Sequence, residues 1–253
     1  MGFTRAIVRE LSSSYTSCIS DFPLHHLLNL EKAREQHSKY INLLKDIGLE
    51  IIKLEGDKRY PDCCFIEDNA IIHGKNAVIT RMGINSRMGE VEAIQEVLGE
   101  YKNLHIIQAP ATIEGGDVIH IEEKNLLISG ISQRTNQEGI RQLHQKLGID
   151  VKVIESPNIV HLKSYVTYLG NNTMLTTRDY EDYPTLKQFT KLVVEEKEDY
   201  AANSLNINDT VIIPSGFNKT KEMLMENGFE VETLDMSEFQ KCEGALTCLS
   251  LPF

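Results

Sequence analysis

Basic charge is scarce in this chain: 26 Lys and Arg stand against 37 Asp and Glu, for a formal net charge of −11. A protein that grips nucleic acid along its backbone needs a positive field, so that class is excluded. Long apolar runs are missing as well. No stretch approaches the roughly 20 residues of a membrane-spanning helix. Arg5, Arg9 and Glu10 interrupt the N-terminal stretch where a secretory leader would carry its apolar core. Metal-scaffold spacings are absent too, with neither a CxxC pair nor an HExxH run. The cysteines are Cys18, Cys63, Cys64, Cys242 and Cys248, an odd set in which adjacent Cys63 and Cys64 are poor partners for each other. That pattern reads as reduced thiols in a cytoplasmic protein rather than a disulfide framework. No low-complexity linker divides the chain, and a single domain spanning 1–253 is expected.

What is present is a repeat. Residues 70–73 and 77–80 are short apolar runs around the turn Gly74-Lys75-Asn76, which reads as a hairpin. A helix over 89–100 and a strand over 104–108 follow. The same order returns at 118–121, 126–129, helix 134–147 with Gly148 as its stop, and strand 151–154. It returns again at 165–169, 173–177, helix 184–190 and strand 191–195. A fourth copy runs through 203–207, 210–213, helix 218–227 and strand 229–233. Helix 30–47 and strand 49–54 supply a fifth, its hairpin drawn from strand 4–9 and the C-terminal residues 245–251. Five strand–strand–helix–strand units, the last closed by both termini, predict an α/β ring without open sheet edges.

One polar residue precedes or occupies the same place in each unit. Asp68, Glu114, His161, Asn203 and Cys248 follow one another at intervals of 46, 47, 42 and 45 residues. A ring would point all of them at one axis. A thiol is a strong nucleophile once ionised. An imidazole can donate a proton and later withdraw one. Carboxylates bind planar cations. Together these suit substitution at the carbon of a guanidinium. Asn203 reads as a structural residue holding backbone, and Cys63 and Cys64 as packed thiols in a strand.

Several stretches carry a resemblance that covers essentially the whole chain. They are YPDCCFIED (60–68), ITRMGINSR (79–87), IEGGD (113–117), SQRTNQEG (132–139), HLK (161–163), YAAN (200–203) and EGALTCLSLPF (243–253). In this order the sequence resembles the dimethylarginine dimethylaminohydrolase family, of the guanidino-group-modifying superfamily that includes arginine deiminase. The resemblance implies a five-bladed α/β propeller (pentein) and a hydrolase converting Nω-methylated arginine to citrulline and dimethylamine or methylamine. It implies Cys248 as nucleophile, His161 as acid and base, and Glu114 holding His161. It implies Asp68 on the guanidinium, Arg87 and Arg134 on the substrate α-carboxylate, Asp62 on its α-amino group, and Glu67 as a neighbouring substrate or support residue. The partner is a small guanidino molecule, with no metal, organic cofactor, nucleic acid or membrane, in a monomer or homodimer. Arginine deiminases look like His-x-Asp where this chain has His161-Leu162-Lys163, and losing that carboxylate favours a methylated guanidinium. Deimination of plain arginine or of another guanidino compound, amidino transfer to an amine, and guanidine binding without turnover are the competing readings.

Overall fold

The computed structural model describes residues 2–253. They fall into two compact units, one of residues 1–66 with 194–253 and one of residues 67–193. Every sheet has three strands and one topology: an antiparallel pair, with a parallel third strand added to one of its members.

In the first unit, β1 (Arg5–Arg9) leads through α1 (Leu30–Asp46) to β2 (Glu50–Leu54), which lies parallel to it. Asn29 caps α1 by accepting the Lys32 N–H at 3.0 Å. Ala33, Gln36, His37, Tyr40 and Leu44, at three- and four-residue spacing, form its buried face.

The second unit holds the next copies. The strands β3 (Ala70–His73) and β4 (Asn76–Ile79) form a hairpin, and α2 (Val91–Leu98) carries the chain to β5 (Asn103–Ile106). The following copy is β6 (Val118–Ile121), β7 (Leu126–Ile131), α3 (Gln137–Leu147) and β8 (Asp150–Glu155). Asn136 caps α3 through the Gly139 N–H at 2.8 Å, and Gly148 ends it at φ 69°. That left-handed angle is why the predicted stop is a glycine. The last copy here is β9 (Val166–Tyr168), β10 (Thr173–Thr176) and β11 (Thr190–Val193).

Returning to the first unit, β12 (Leu205–Ile207), β13 (Thr210–Pro214), α4 (Asn218–Glu226) and β14 (Glu230–Leu234) make a complete copy. A short α5 (Ser237–Gln240) precedes β15 (Leu251–Pro252), which pairs antiparallel with β1. Both termini therefore close one sheet, as the repeat predicts.

Four expectations are corrected. The helix over 184–190 is only a 3-10 turn, Pro184–Leu186. Leu186 is buried in that turn, and Phe189, buried just beyond it, donates its N–H to the Leu186 carbonyl at 3.0 Å, a further i to i+3 bond rather than an α-helical one. The strand over 245–251 shrinks to β15, because a 3-10 turn at Thr247–Leu249 takes up the stretch. Cys63 and Cys64 are buried as expected, yet they lie in turns, not a strand. Cys18 and Cys242, read as reduced thiols, are joined in a disulfide across 224 residues of sequence. Sequence spacing gave no sign of that pair, because the fold, not the chain, brings them together. Among the described residues no helix is long and apolar enough to cross a membrane.

The first unit has its own core around Tyr15, Tyr40, Leu44 and Phe239, all fully buried. The second has two, one around Leu162, Met174 and Leu186 and one around Val78, Ile113 and Leu143.

Candidate active site

In the second unit the backbone repeats a local device. Glu114 is extended (φ −122°, ψ 144°) and is followed by the 3-10 turn Gly115–Asp117 and then β6. His161 is extended (φ −138°, ψ 142°) and is followed by the 3-10 turn Leu162–Ser164 and then β9. Asp68 lies in the 3-10 turn Ile66–Asn69, before β3. Glu114 and His161 thus occupy matching places, immediately before a 3-10 turn, and Asp68 stands within the corresponding turn of its own copy.

These three side chains meet. His161 Nε2 lies 2.7 Å from Glu114 Oε2 and 3.5 Å from Asp68 Oδ1. Glu114 Oε1 accepts the Gly83 N–H at 2.7 Å, and Asp68 Oδ1 accepts the Gly116 N–H at 3.0 Å. Gly116 has to be small: a Cβ there would stand 2.7 Å from the His161 ring and 2.9 Å from Asp68 Oδ1. The ligand atoms of Asp68, Glu114 and His161 all lie within 4.8 Å of one another, a spacing a cation could use.

Arg87 and Arg134 differ. Arg87 is buried and spends its guanidinium on two carboxylates, Nη1 on Asp68 Oδ2 at 2.8 Å and Nε and Nη2 on Glu90 at 2.9 and 2.8 Å. Glu90, fully buried, is a partner the sequence reading missed; its spacing of three from Arg87 was the available signal. Arg134 keeps a buried Nε with no hydrogen-bond partner. Its backbone N–H is fixed by Ser132 Oγ at 2.9 Å. Ser132 in turn donates to Asp117 Oδ2 at 2.6 Å, while Asp117 Oδ1 accepts the Leu162 N–H at 2.9 Å. Asp117, fully buried, therefore ties the Arg134 loop to the backbone just after His161. The sequence reading gave it no role of its own. Glu67 is buried and ion-paired with Lys163.

The charges set one another's protonation. Burial alone would push the His161 imidazole down, but Asp68, Glu114 and Asp117 outweigh it and raise its pKa to about 9. For Asp68, burial pushes upward, and the His161 and Arg87 charges with the Arg87 and Gly116 hydrogen bonds hold it below the usual carboxylate range. Asp117 is raised, mainly by burial. At neutral pH His161 is thus an imidazolium. With Arg87 it faces three acidic groups, Asp68, Glu90 and Glu114, so acidic groups outnumber basic ones in this cluster. A buried surplus of that kind is stabilised by a cation.

The first unit holds Cys248, on the 3-10 turn Thr247–Leu249, half-buried and outside any disulfide. Uncharged groups pin its segment. Asn203 takes the Thr247 N–H on Oδ1 at 3.1 Å and donates from Nδ2 to Thr247 Oγ1 at 3.1 Å. Tyr40, from α1, donates to the Leu246 carbonyl at 3.1 Å and sits 2.7 Å from Ser250 Oγ. Tyr200 donates to the Gly244 carbonyl at 2.7 Å. Asn203 and Cys248, the two remaining repeat positions, are thus neighbours through Thr247. Asp62 is buried and accepts the Ile19 N–H with both oxygens, at 3.2 and 3.3 Å.

Comparison with known proteins adds the following. The family model described as N,N dimethylarginine dimethylhydrolase, eukaryotic, matches residues 16–250. An N(G),N(G)-dimethylarginine dimethylaminohydrolase of Pseudomonas aeruginosa is 36% identical over 227 residues, 88% of this chain and 89% of that one. The enzyme of that name from Streptomyces coelicolor is 31% identical over 87% of this chain and 85% of its own length. A solved structure of a cysteine-to-serine mutant of the Pseudomonas aeruginosa enzyme, complexed with citrulline, superposes with a TM-score of 0.95. It shows 33% identity and covers 100% of both chains. Likeness at that level shows the fold: the five units are those of a five-bladed α/β propeller.

Proposed function

The chain belongs to the dimethylarginine dimethylaminohydrolase family, and on that premise we propose that it hydrolyses Nω-methylated L-arginine to L-citrulline and dimethylamine or methylamine. The observation that carries this reading is the His161–Glu114–Asp68 cluster, an imidazolium between two buried carboxylates with negative charge to spare for a guanidinium.

The reaction follows from these groups. The Cys248 thiolate adds to the guanidinium carbon. His161, charged at neutral pH, gives its proton to the substituted nitrogen, and the neutral methylated amine leaves. A covalent thiouronium remains on Cys248. The now neutral imidazole takes a proton from water as the hydroxide oxygen adds to the same carbon. The carbon–sulfur bond then breaks as the added hydroxyl gives up its proton to solvent, releasing citrulline and restoring the thiolate and the imidazolium. Glu114 keeps His161 oriented, and Asp68 receives the guanidinium nitrogens.

The unpaired Nε of Arg134 supports this residue as the principal grip on the substrate α-carboxylate. Arg87, committed to Asp68 and Glu90, contributes its charge to the same group and its structure to Asp68. Asp62 is the proposed acceptor for the α-amino group and Glu67 a support residue beside it. The Glu67–Lys163 pair leaves no added carboxylate at this position for the far guanidinium nitrogens, which favours a methylated substrate over plain arginine. The proposal includes one catalytic domain over 1–253, a cytoplasmic location, and a monomer or homodimer.

Incubating the purified protein with asymmetric dimethylarginine, monomethylarginine, arginine and agmatine tests it. Equimolar citrulline and methylated amine from the first two are expected. Turnover of arginine alone would assign a deiminase.

A further inference from the structure

The disulfided pair has a third neighbour. A ring nitrogen of His25 and the sulfurs of Cys18 and Cys242 lie within 4.8 Å of one another. Cys18 and Cys242 are 4% and 3% exposed. His25 sits at the start of the 3-10 turn His25–Leu27, and its Nε2 is buried without a hydrogen-bond partner. A buried polar nitrogen is ordinarily satisfied, so this ring, close to two sulfurs, keeps a nitrogen that lacks a ligand.

We propose that Cys18, His25 and Cys242 form, in the reduced protein, a binding site for a zinc-class divalent cation. Two thiolates and one imidazole are the donor types such an ion selects. Tetrahedral coordination with sulfur at about 2.3 Å and nitrogen at about 2.0 Å puts neighbouring ligand atoms roughly 3.5–3.8 Å apart. A group within 4.8 Å reaches that by side-chain adjustment. The fourth position is left to water.

The disulfide is the alternative state of the same site. A thiol reductant cleaves it, giving two protein thiols and the oxidised reductant. The ion then displaces the two thiol protons, which pass to solvent. Bond and ion exclude each other, because the disulfide consumes both anionic ligands. Either state keeps the segment around Cys18 tied to the segment around Cys242. That tie has neighbours of consequence: Ser20 Oγ donates to the Lys241 carbonyl at 3.1 Å and to Glu243 at 2.9 Å, and Asp62 accepts the Ile19 N–H. The site shares no residue with the proposed catalytic set and stands independently of that reading.

Cobalt(II) is the probe. The protein carries a Cys248→Ser exchange so that its nucleophilic thiol adds no signal, is reduced with a phosphine under argon, and is desalted and titrated. One equivalent bound is expected, with sulfur-to-cobalt charge-transfer absorption and tetrahedral visible bands. The oxidised protein should show neither. Cys18→Ala should abolish the charge-transfer bands, and His25→Ala should weaken affinity at least about tenfold with the far-ultraviolet dichroism unchanged. Zinc should also protect Cys18 and Cys242, mapped by mass spectrometry, from alkylation in the reduced protein. This last readout needs no variant to fold. Equal cobalt uptake by reduced and oxidised protein, or alkylation of Cys18 and Cys242 unaffected by zinc, would overturn the site.

Discussion

The unit of residues 67–193 and the unit of residues 1–66 with 194–253 hold their chemical groups by opposite means. The unit of residues 67–193 keeps ionised side chains out of water and binds them to one another, as in Arg87 with Asp68 and Glu90 and His161 with Glu114. The other unit positions Cys248 with Asn203, Tyr40 and Tyr200, none of them charged at neutral pH. Buried charge is costly unless paired, so each ionised group in one unit is also a structural support. A thiol carries no such cost until it ionises, so its surroundings only have to fix backbone.

The contrast makes the two units respond differently to mutation. Cys248→Ser should lower citrulline formation by at least about a thousandfold while shifting unfolding by less than about 1 kcal/mol. A coupled amine assay and a thermal melt read both; surviving turnover would place the nucleophile elsewhere. Arg87→Ala should do the reverse of a simple binding defect. It strands Asp68 and Glu90, and loss of about 3–5 kcal/mol in urea unfolding is expected. Arg134→Ala should leave stability within about 1 kcal/mol and raise KM about tenfold. Matching stability losses for the two arginines would erase the distinction between them.

Acidity provides a third comparison. His161 is raised to about 9 in the folded protein, from an unfolded value near 6.5. Its contribution to stability is therefore complete below about pH 6.5 and lost as pH rises through about 9, on the order of 3 kcal/mol. His161→Asn should flatten that part of the pH profile, and kcat of the unaltered protein should fall above about pH 9 as the imidazolium loses its proton. The smallest effect belongs to the uncharged residues around Cys248. Asn203→Ala should cost about 1–2 kcal/mol by orphaning the Thr247 N–H. It should also lower kcat, since the backbone beside Cys248 loosens.

The sheets were legible because alternating apolar runs, turn glycines and helix stops recur in one order, down to Asn136 and Gly148 around α3. The 184–190 helix was not, because buried side chains three apart are met as well by successive i to i+3 turns as by an α-helix. Asp68, Glu114 and His161 could be read as one set from their intervals, since equivalent places in a repeat converge. Glu90 and Asp117 could not be given their roles, because nothing local distinguishes a carboxylate that faces solvent from one that ties two loops together.

By itself the sequence determined the five-unit repeat, the closure of one sheet by both termini and the residue types before each hairpin. Those depend on local patterning and near-constant spacing. Only the tertiary structure decided that Arg87 is spent on Asp68 and Glu90 while Arg134 keeps a buried Nε to offer. It alone raised His161 to about 9 and joined Cys18 to Cys242 across 224 residues. Burial and partner geometry are properties of a folded neighbourhood, and the linear order of residues does not carry them.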